Sequence, residues 1–137
     1  MSWVVDTCIV IDVLQDTSAH SEASILLVNE MAHEGLVLCP VSFVELAPSF
    51  LGSIALQQRF LDSIGVEWER VYWVDEDTHR AHAAWHRHVI ARRAGAAPKR
   101  PMADILIGAF AMRHEGIVTR NPADFADVFP ELVIRVP

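Results

Sequence analysis

Trp3-Val4-Val5-Asp6-Thr7 opens the chain with β-favouring apolar residues that stop on an acid. The apolar run is continuous, not alternating, which suits a strand covered on both faces in a parallel sheet. Outward from it, helical and strand patterns take turns. Residues 9–14 read as a short helix, and a longer helical stretch follows the polar break at 15–18 and ends near Glu34 at Gly35. Leu36-Val37-Leu38 is the second strand, closed by Pro40. Helical pattern returns over 42–50 and 54–64, and Val71-Tyr72-Trp73-Val74 reads as a third strand. The acids Asp75-Glu76-Asp77 then suit a helix N-terminus, where they meet the positive end of the dipole. That helix runs to Arg93, with Ala81, Trp85 and Val89 on its apolar stripe, before a Gly- and Pro-containing loop at 94–101. A helix over 102–115, strand Ile117-Val118-Thr119 and a short strand near Val133-Ile134-Arg135 complete the chain. His33-Glu34-Gly35-Leu36-Val37 and His114-Glu115-Gly116-Ile117-Val118 echo one another, each predicting a left-handed glycine between helix and strand. The order predicts an α/β fold, a three-layer α/β/α sandwich with a mainly parallel central sheet. Functional groups are then expected just beyond the carboxyl ends of the strands.

A length of 137 residues predicts one domain, residues 1–137, large enough to bury a core. With 52% hydrophobic and 21% charged residues, the chain does not read as disordered. No apolar run approaches the roughly 18–20 residues of a membrane span. The start carries no basic segment and cleavage site, so a cytoplasmic location is expected. Cys8 and Cys39 lie in apolar stretches without C-x-x-C spacing and read as buried free thiols. A net charge of −7 argues against broad adhesion to nucleic acid or anionic lipid. The charge is uneven, however. Residues 78–120 carry eight basic side chains against only Asp104 and Glu115, so a local basic surface remains open.

Four polar residues fall on the edge where such a fold places its site. Asp6 ends the first strand, Glu45 follows the second on the first turn of a helix capped by Ser42, Asp104 lies early in the helix after the basic loop, and Asn121 follows the fourth strand. Asp6, Glu45 and Asp104 each have apolar flanks, a costly setting for a carboxylate without a compensating partner. Each acid alone has a bland reading as a local cap or pair. Three converging carboxylates without a lysine among them repel one another, and a divalent cation resolves the repulsion. Oxygen ligands suit Mg2+ or Mn2+, and the lack of a His or Cys cluster at these positions disfavours zinc.

Val4-Val5-Asp6-Thr7, Val41-Ser42-Phe43-Val44-Glu45-Leu46, Ala103-Asp104-Ile105-Leu106-Ile107-Gly108-Ala109 and Thr119-Arg120-Asn121-Pro122-Ala123-Asp124-Phe125 together resemble PIN-domain ribonucleases. The likeness is greatest to the VapC-type toxins of bacterial toxin–antitoxin pairs, and it spans essentially the whole chain in order and spacing. The resemblance implies metal-dependent hydrolysis of RNA phosphodiester bonds, with Asp6, Glu45 and Asp104 as the catalytic and metal-binding acids. Where the family often has a fourth acid, this chain has Asn121, which offers one neutral carbonyl ligand. Asp124 either substitutes at a distance or secures its loop. Thr7 and Thr119 are placed to support the carboxylates, while Ser42 reads as a helix cap and not as a nucleophile. The likeness further implies a cognate antitoxin and a homodimer.

Arg92, Arg93, Lys99 and Arg100 flank the loop before Asp104 and are candidate RNA contacts that would guide a phosphate backbone to an acidic site. His82 and His86 are four apart on one helix, but no Glu follows His82 to complete a zinc-protease motif, and a polar face suits them better. Trp3, Trp68, Trp73 and Trp85 read mostly as core. A receiver or haloacid dehalogenase-like phosphotransfer domain is disfavoured by Asp6-Thr7-Cys8, which lacks a second acid, and by a sole lysine in a loop. A catalytically silent PIN-like module that only binds RNA or a partner remains the alternative, and Asn121 is the residue that favours it.

Overall fold

In the computed structural model, which describes residues 2–137, the opening run is strand β1 (Trp3–Val5). It is covered on both faces. Trp3 and Val5 pack with Ile9, Val10, Val28 and Met31, while Val4 packs on the other side with Ile105, Ala109 and Phe110. The first group brings in helices α1 (Thr7–Gln15) and α2 (Ser21–Met31), the second α5 (Asp75–Arg93) and α6 (Met102–Ala111). The expected three-layer α/β/α sandwich is therefore what forms. Each fully buried Val, Ile or Phe in it contributes about 1.5–3 kcal/mol.

Strand β1 is flanked by β2 (Leu36–Val37) and β4 (Gly116–Val118), with β3 (Val66–Glu67) beyond β2 and β5 (Ile134–Arg135) beyond β4. Every pairing is parallel, in the order β3-β2-β1-β4-β5. After β1 the chain builds outward through β2 and β3, with α3 (Pro40–Glu45) and α4 (Ile54–Ser63) between them. It then crosses back through α5 and α6 to add β4 on the other side, and α7 (Ala123–Ala126) leads toward β5. The order reverses between β1 and β4, and such a switch point leaves a crevice beyond the strand ends.

Four sequence expectations need correction. The third strand is Val66–Glu67, not 71–74. Gly65, at φ +74, turns the chain out of α4 directly into that strand, and the later β-favouring run is an irregular connector. Its Tyr72 carbonyl accepts from Arg113 Nη2 at 2.9 Å, and Trp73 Nε1 donates to Thr78 Oγ1 at 2.7 Å, so local partners replace a sheet neighbour. Helix α6 stops at Ala111 and not at Glu115. The buried stripe of α5 is Asp77, Ala81, Ala84 and His88, with Trp85 and Val89 at its margin. Finally, the two glycines of the echoed junction do different work. Gly35 takes a positive φ of +88, whereas Gly116 is a strand residue whose absent side chain leaves room for the Val133 carbonyl and the Trp3 ring.

Candidate active site

Asp6 is the N-cap of α1, directly after β1. Its Oδ1 accepts the Thr7 backbone N–H at 2.8 Å, and Oδ2 accepts from Thr119 Oγ1 at 2.7 Å and from Cys8 Sγ at 3.4 Å. Thr119 Oγ1 in turn accepts the Asn121 N–H at 3.0 Å. One carboxylate thus ties together the two strands between which the sheet order reverses. Thr7 serves two acids, because its hydroxyl donates to Glu45 Oε1 at 2.7 Å. Thr7 and Thr119 thus each donate a side-chain hydrogen bond to a carboxylate of this edge.

Burial pushes the Asp6 carboxyl above its ordinary pKa, against the lowering effect of its bonds from Thr119, Cys8 and Thr7, and the Glu45 charge adds to the rise. Asp104, in the first turn of α6 and half-buried, is pushed up to about 6. Desolvation is the largest cause, followed by repulsion from Asp124, Asp6 and Glu45, with the Arg100 charge opposing. These acids therefore feel one another across the strand ends.

Two other acids show what a satisfied carboxylate looks like in this protein. Asp12, buried on α1, accepts from Arg120 Nε at 3.0 Å, Arg120 Nη2 at 3.3 Å and Ser24 Oγ at 2.8 Å. Asp77, fully buried, holds Arg113 through Nε at 3.0 Å and Nη2 at 2.8 Å and caps α5 by accepting the Val74 N–H at 3.0 Å. Among the described residues Asp6, Glu45 and Asp104 form no such ion pair. The sequence reading missed Asp12, yet the signal was there: it is a lone acid in the apolar run Cys8-Ile9-Val10-Ile11-Asp12-Val13-Leu14. Cys8, read from the sequence only as a buried thiol, touches Asp6 and is pushed up to about 11 by burial and by the Asp6 charge. Cys8 is only half-buried; Cys39 is buried, and both are free thiols.

Other placements differ from expectation. Glu45 is the last residue of α3, not on a first turn, and it is exposed, so its apolar flanks impose no desolvation. Pro40 starts that helix instead of ending a strand, the cap position is Cys39, and Ser42 lies buried within it with no partner for its Oγ. Arg100 is not a free cation. It is 9% exposed and held by Asp124 at 3.3 Å and Asp127 at 3.3 Å. Asp124 thereby secures its loop while still acting on Asp104. Arg92, Arg93 and Lys99 have no ion-pair partner among the described residues, and Arg93 and Lys99 are exposed. Asn121 is exposed beside Thr119. His79, His82 and His86 are exposed as a polar face would be, whereas His88 is buried.

A PIN domain model matches residues 3–128, a span that takes in the whole of this acidic edge. The chain belongs to the PIN-domain family. Its fold is also similar to that of a chain in the crystal structure of VapBC2 from Rickettsia felis bound to a DNA fragment from their promoter, with a TM-score of 0.67 and 16% identity over 99% of this chain and 98% of that one. No curated protein matches the chain. As a PIN domain it has the expected α/β/α architecture, with Asp6 at the switch point.

Whether these acids fit a cation is a question of donor chemistry. Among the described residues, no three Asp, Glu, His or Cys side chains stand close enough to form a ready-made metal cage. Mg2+ does not require one, because it keeps several waters and is held by one or two carboxylates together with substrate phosphates. An open edge of oxygen donors, with Asp6 oriented by three donors and Asp104 raised by burial and then by its neighbours' charges, fits a hydrated divalent ion.

Proposed function

We propose that this PIN domain is a Mg2+-dependent endoribonuclease, able to use Mn2+, and the toxin of a toxin–antitoxin pair. The observation that supports it most is the contrast among the acids. Asp12 and Asp77 have guanidinium partners, while among the described residues Asp6, Glu45 and Asp104 have no ion-pair partner. Asp6 and Asp104 would hold the cation, with Glu45 binding directly or through water. A cation held there lowers the pKa of a bound water and offsets negative charge on the scissile phosphate.

The protein's own part is orientation. Thr119 and the Thr7 N–H fix the plane of the Asp6 carboxylate, and the Thr7 hydroxyl steers Glu45 toward the same edge. Asn121 is a candidate carbonyl ligand, and Asp124 a supporting charge. Arg92, Arg93 and Lys99 supply positive charge along the approach to Asp104, which favours a polyanionic substrate.

A cognate antitoxin and a second copy of the chain are the partners we propose. An apolar cleft of about 590 Å³ supports a protein partner near the site, since its lining includes Val44 beside Glu45 and Met102 and Leu106 around Asp104. No helix among the described residues is long and apolar enough to cross a membrane.

Incubation of the purified chain with RNA in Mg2+, in Mn2+ or in chelator tests the reading. Cleavage is expected only with a cation, and Asp6→Asn and Asp104→Asn are expected to abolish it while unfolding at temperatures close to that of the wild type. RNA left intact in every condition, or cut equally by both variants, overturns the assignment and favours a silent RNA- or partner-binding module.

A further inference from the structure

The C-terminal half of α5, the 94–101 loop and residues 127–128 enclose a cavity of about 380 Å³ that none of the roles above uses. Small side chains such as Ala91 and Ala96 leave its space open, and its polar lining is Arg87, His88, Arg100 and Asp127. His88 is 4% exposed, and its Nε2 is buried with no hydrogen-bond partner. A buried polar nitrogen left unpaired costs free energy, so such a site calls for a partner.

The other groups around it are donors with capacity to spare. Arg87 makes one bond, from Nη2 to the Val128 carbonyl at 3.5 Å, at the outer limit for a hydrogen bond. Arg100 uses one N–H toward Asp124 and one toward Asp127, both at 3.3 Å, of the five a guanidinium carries. Asp127 is the one carboxylate of the lining. The adjoining cavity, about 410 Å³, shares Arg87 and Val128 and contains Arg80, whose Nη1 is likewise buried without a partner. Unpaired donors thus stand on either side of Arg87 along α5. Arg100 links this wall to the acidic edge, because it stands next to Pro101, the N-cap of α6, whose first turn carries Asp104, and it pairs with Asp124.

We infer that the cavity is a phosphate-binding subsite, in which Arg87, Arg100 and His88 Nε2 donate to a phosphodiester of the RNA strand flanking the one at the acidic edge. Charge-assisted bonds from guanidinium to phosphate are the strong kind, and a phosphate group fits the space and lacks only donors. The inference rests on the ribonuclease reading for the identity of the strand, and on the unpaired donors for the site itself.

The test uses the metal-free full chain, so that binding is read without cleavage. Inorganic phosphate is titrated while imidazole nitrogen signals are followed by NMR, the His88 signal being the one lost in His88→Gln. A saturable shift of that signal is expected in the wild type. Affinity should fall about tenfold in Arg87→Gln, which removes a charged donor, and in Ala96→Leu, which fills the space and keeps every polar group. Binding of a short single-stranded RNA in chelator gives the second readout. The slope of log K against log salt should fall by about 0.7 in Arg87→Gln, as for one lost phosphate contact.

A His88 signal indifferent to phosphate means that an ordered water satisfies Nε2, and the inference fails. A phosphate response without any change in the RNA salt slope assigns the cavity to free phosphate and overturns the RNA subsite. A chain that binds RNA with these dependences but never cuts it retains the subsite and loses the nuclease reading. Cleavage with unchanged RNA binding in both variants does the reverse.

Discussion

Asp104 is the residue at which charge and chemistry meet most directly. Its carboxyl is pushed up to about 6 by burial and by the charges of Asp124, Asp6 and Glu45, above the ordinary 3.8. A raised carboxyl favours the folded state when protonated. Its contribution to stability is complete below about pH 4 and is lost as pH rises through about 6. Cation binding runs the other way, because only the ionised form is a ligand. An NMR titration of the metal-free chain is expected to place the Asp104 midpoint near 6, and added Mg2+ to move it downward. A midpoint that ignores Mg2+ removes Asp104 from the ligand set. At this scale much was legible in the sequence: a lone acid among apolar residues marks a carboxylate in need of a partner, and Asp6 and Asp104 both carry that mark. Applied to Asp12, the same signal leads to an Arg120 pair instead. Pattern alone cannot separate the two outcomes, because the deciding partner is distant in sequence. Glu45 shows the opposite limit, since apolar neighbours in sequence did not bury it.

Among the elements, those bounded by local chemistry read well and those defined by neighbours did not. Helix α5 runs from Asp75 to Arg93 as its acidic start and basic end predict. Segment 71–74 has the composition of a strand and yet pairs with none, because strand formation measures fit to a pleated, half-buried surface more than backbone preference. Gly116 makes the same point at one position. Its place in β4 is set by the close approach of the Val133 backbone and the Trp3 ring, and not by a turn. Gly116→Ala should therefore press β5 away from β4 and cost about 1–3 kcal/mol, measurable as a lower midpoint in chemical unfolding. Gly52, by contrast, has a positive φ of +75 but nothing within 4 Å of an added Cβ, so substitution there tests backbone conformation alone.

Across the whole molecule, ion pairs with a buried carboxylate tie distant parts of the chain together. Arg113, just beyond α6, grips Asp77 at the start of α5 and the Tyr72 carbonyl of the connector, while Arg120 joins β4 to α1 through Asp12. Arg113→Met would leave the fully buried Asp77 uncompensated and should cost about 3 kcal/mol. Most of that loss is expected to return in the double variant Asp77→Asn/Arg113→Met, which removes the orphaned charge; no recovery in thermal unfolding would mean the pair is not what holds the connector. The sequence by itself determined the layer architecture, four of the five strands and the acid that ends the first, because hydrophobic period and helix-terminal chemistry are local properties. Only the tertiary structure decided which carboxylates keep a guanidinium and which face the switch point without one. It also decided that Arg100 turns to Asp124 and Asp127 and that His88 is left with an unpaired nitrogen. Those outcomes depend on contacts between residues far apart in the chain, and charge compensation is settled by distance in space.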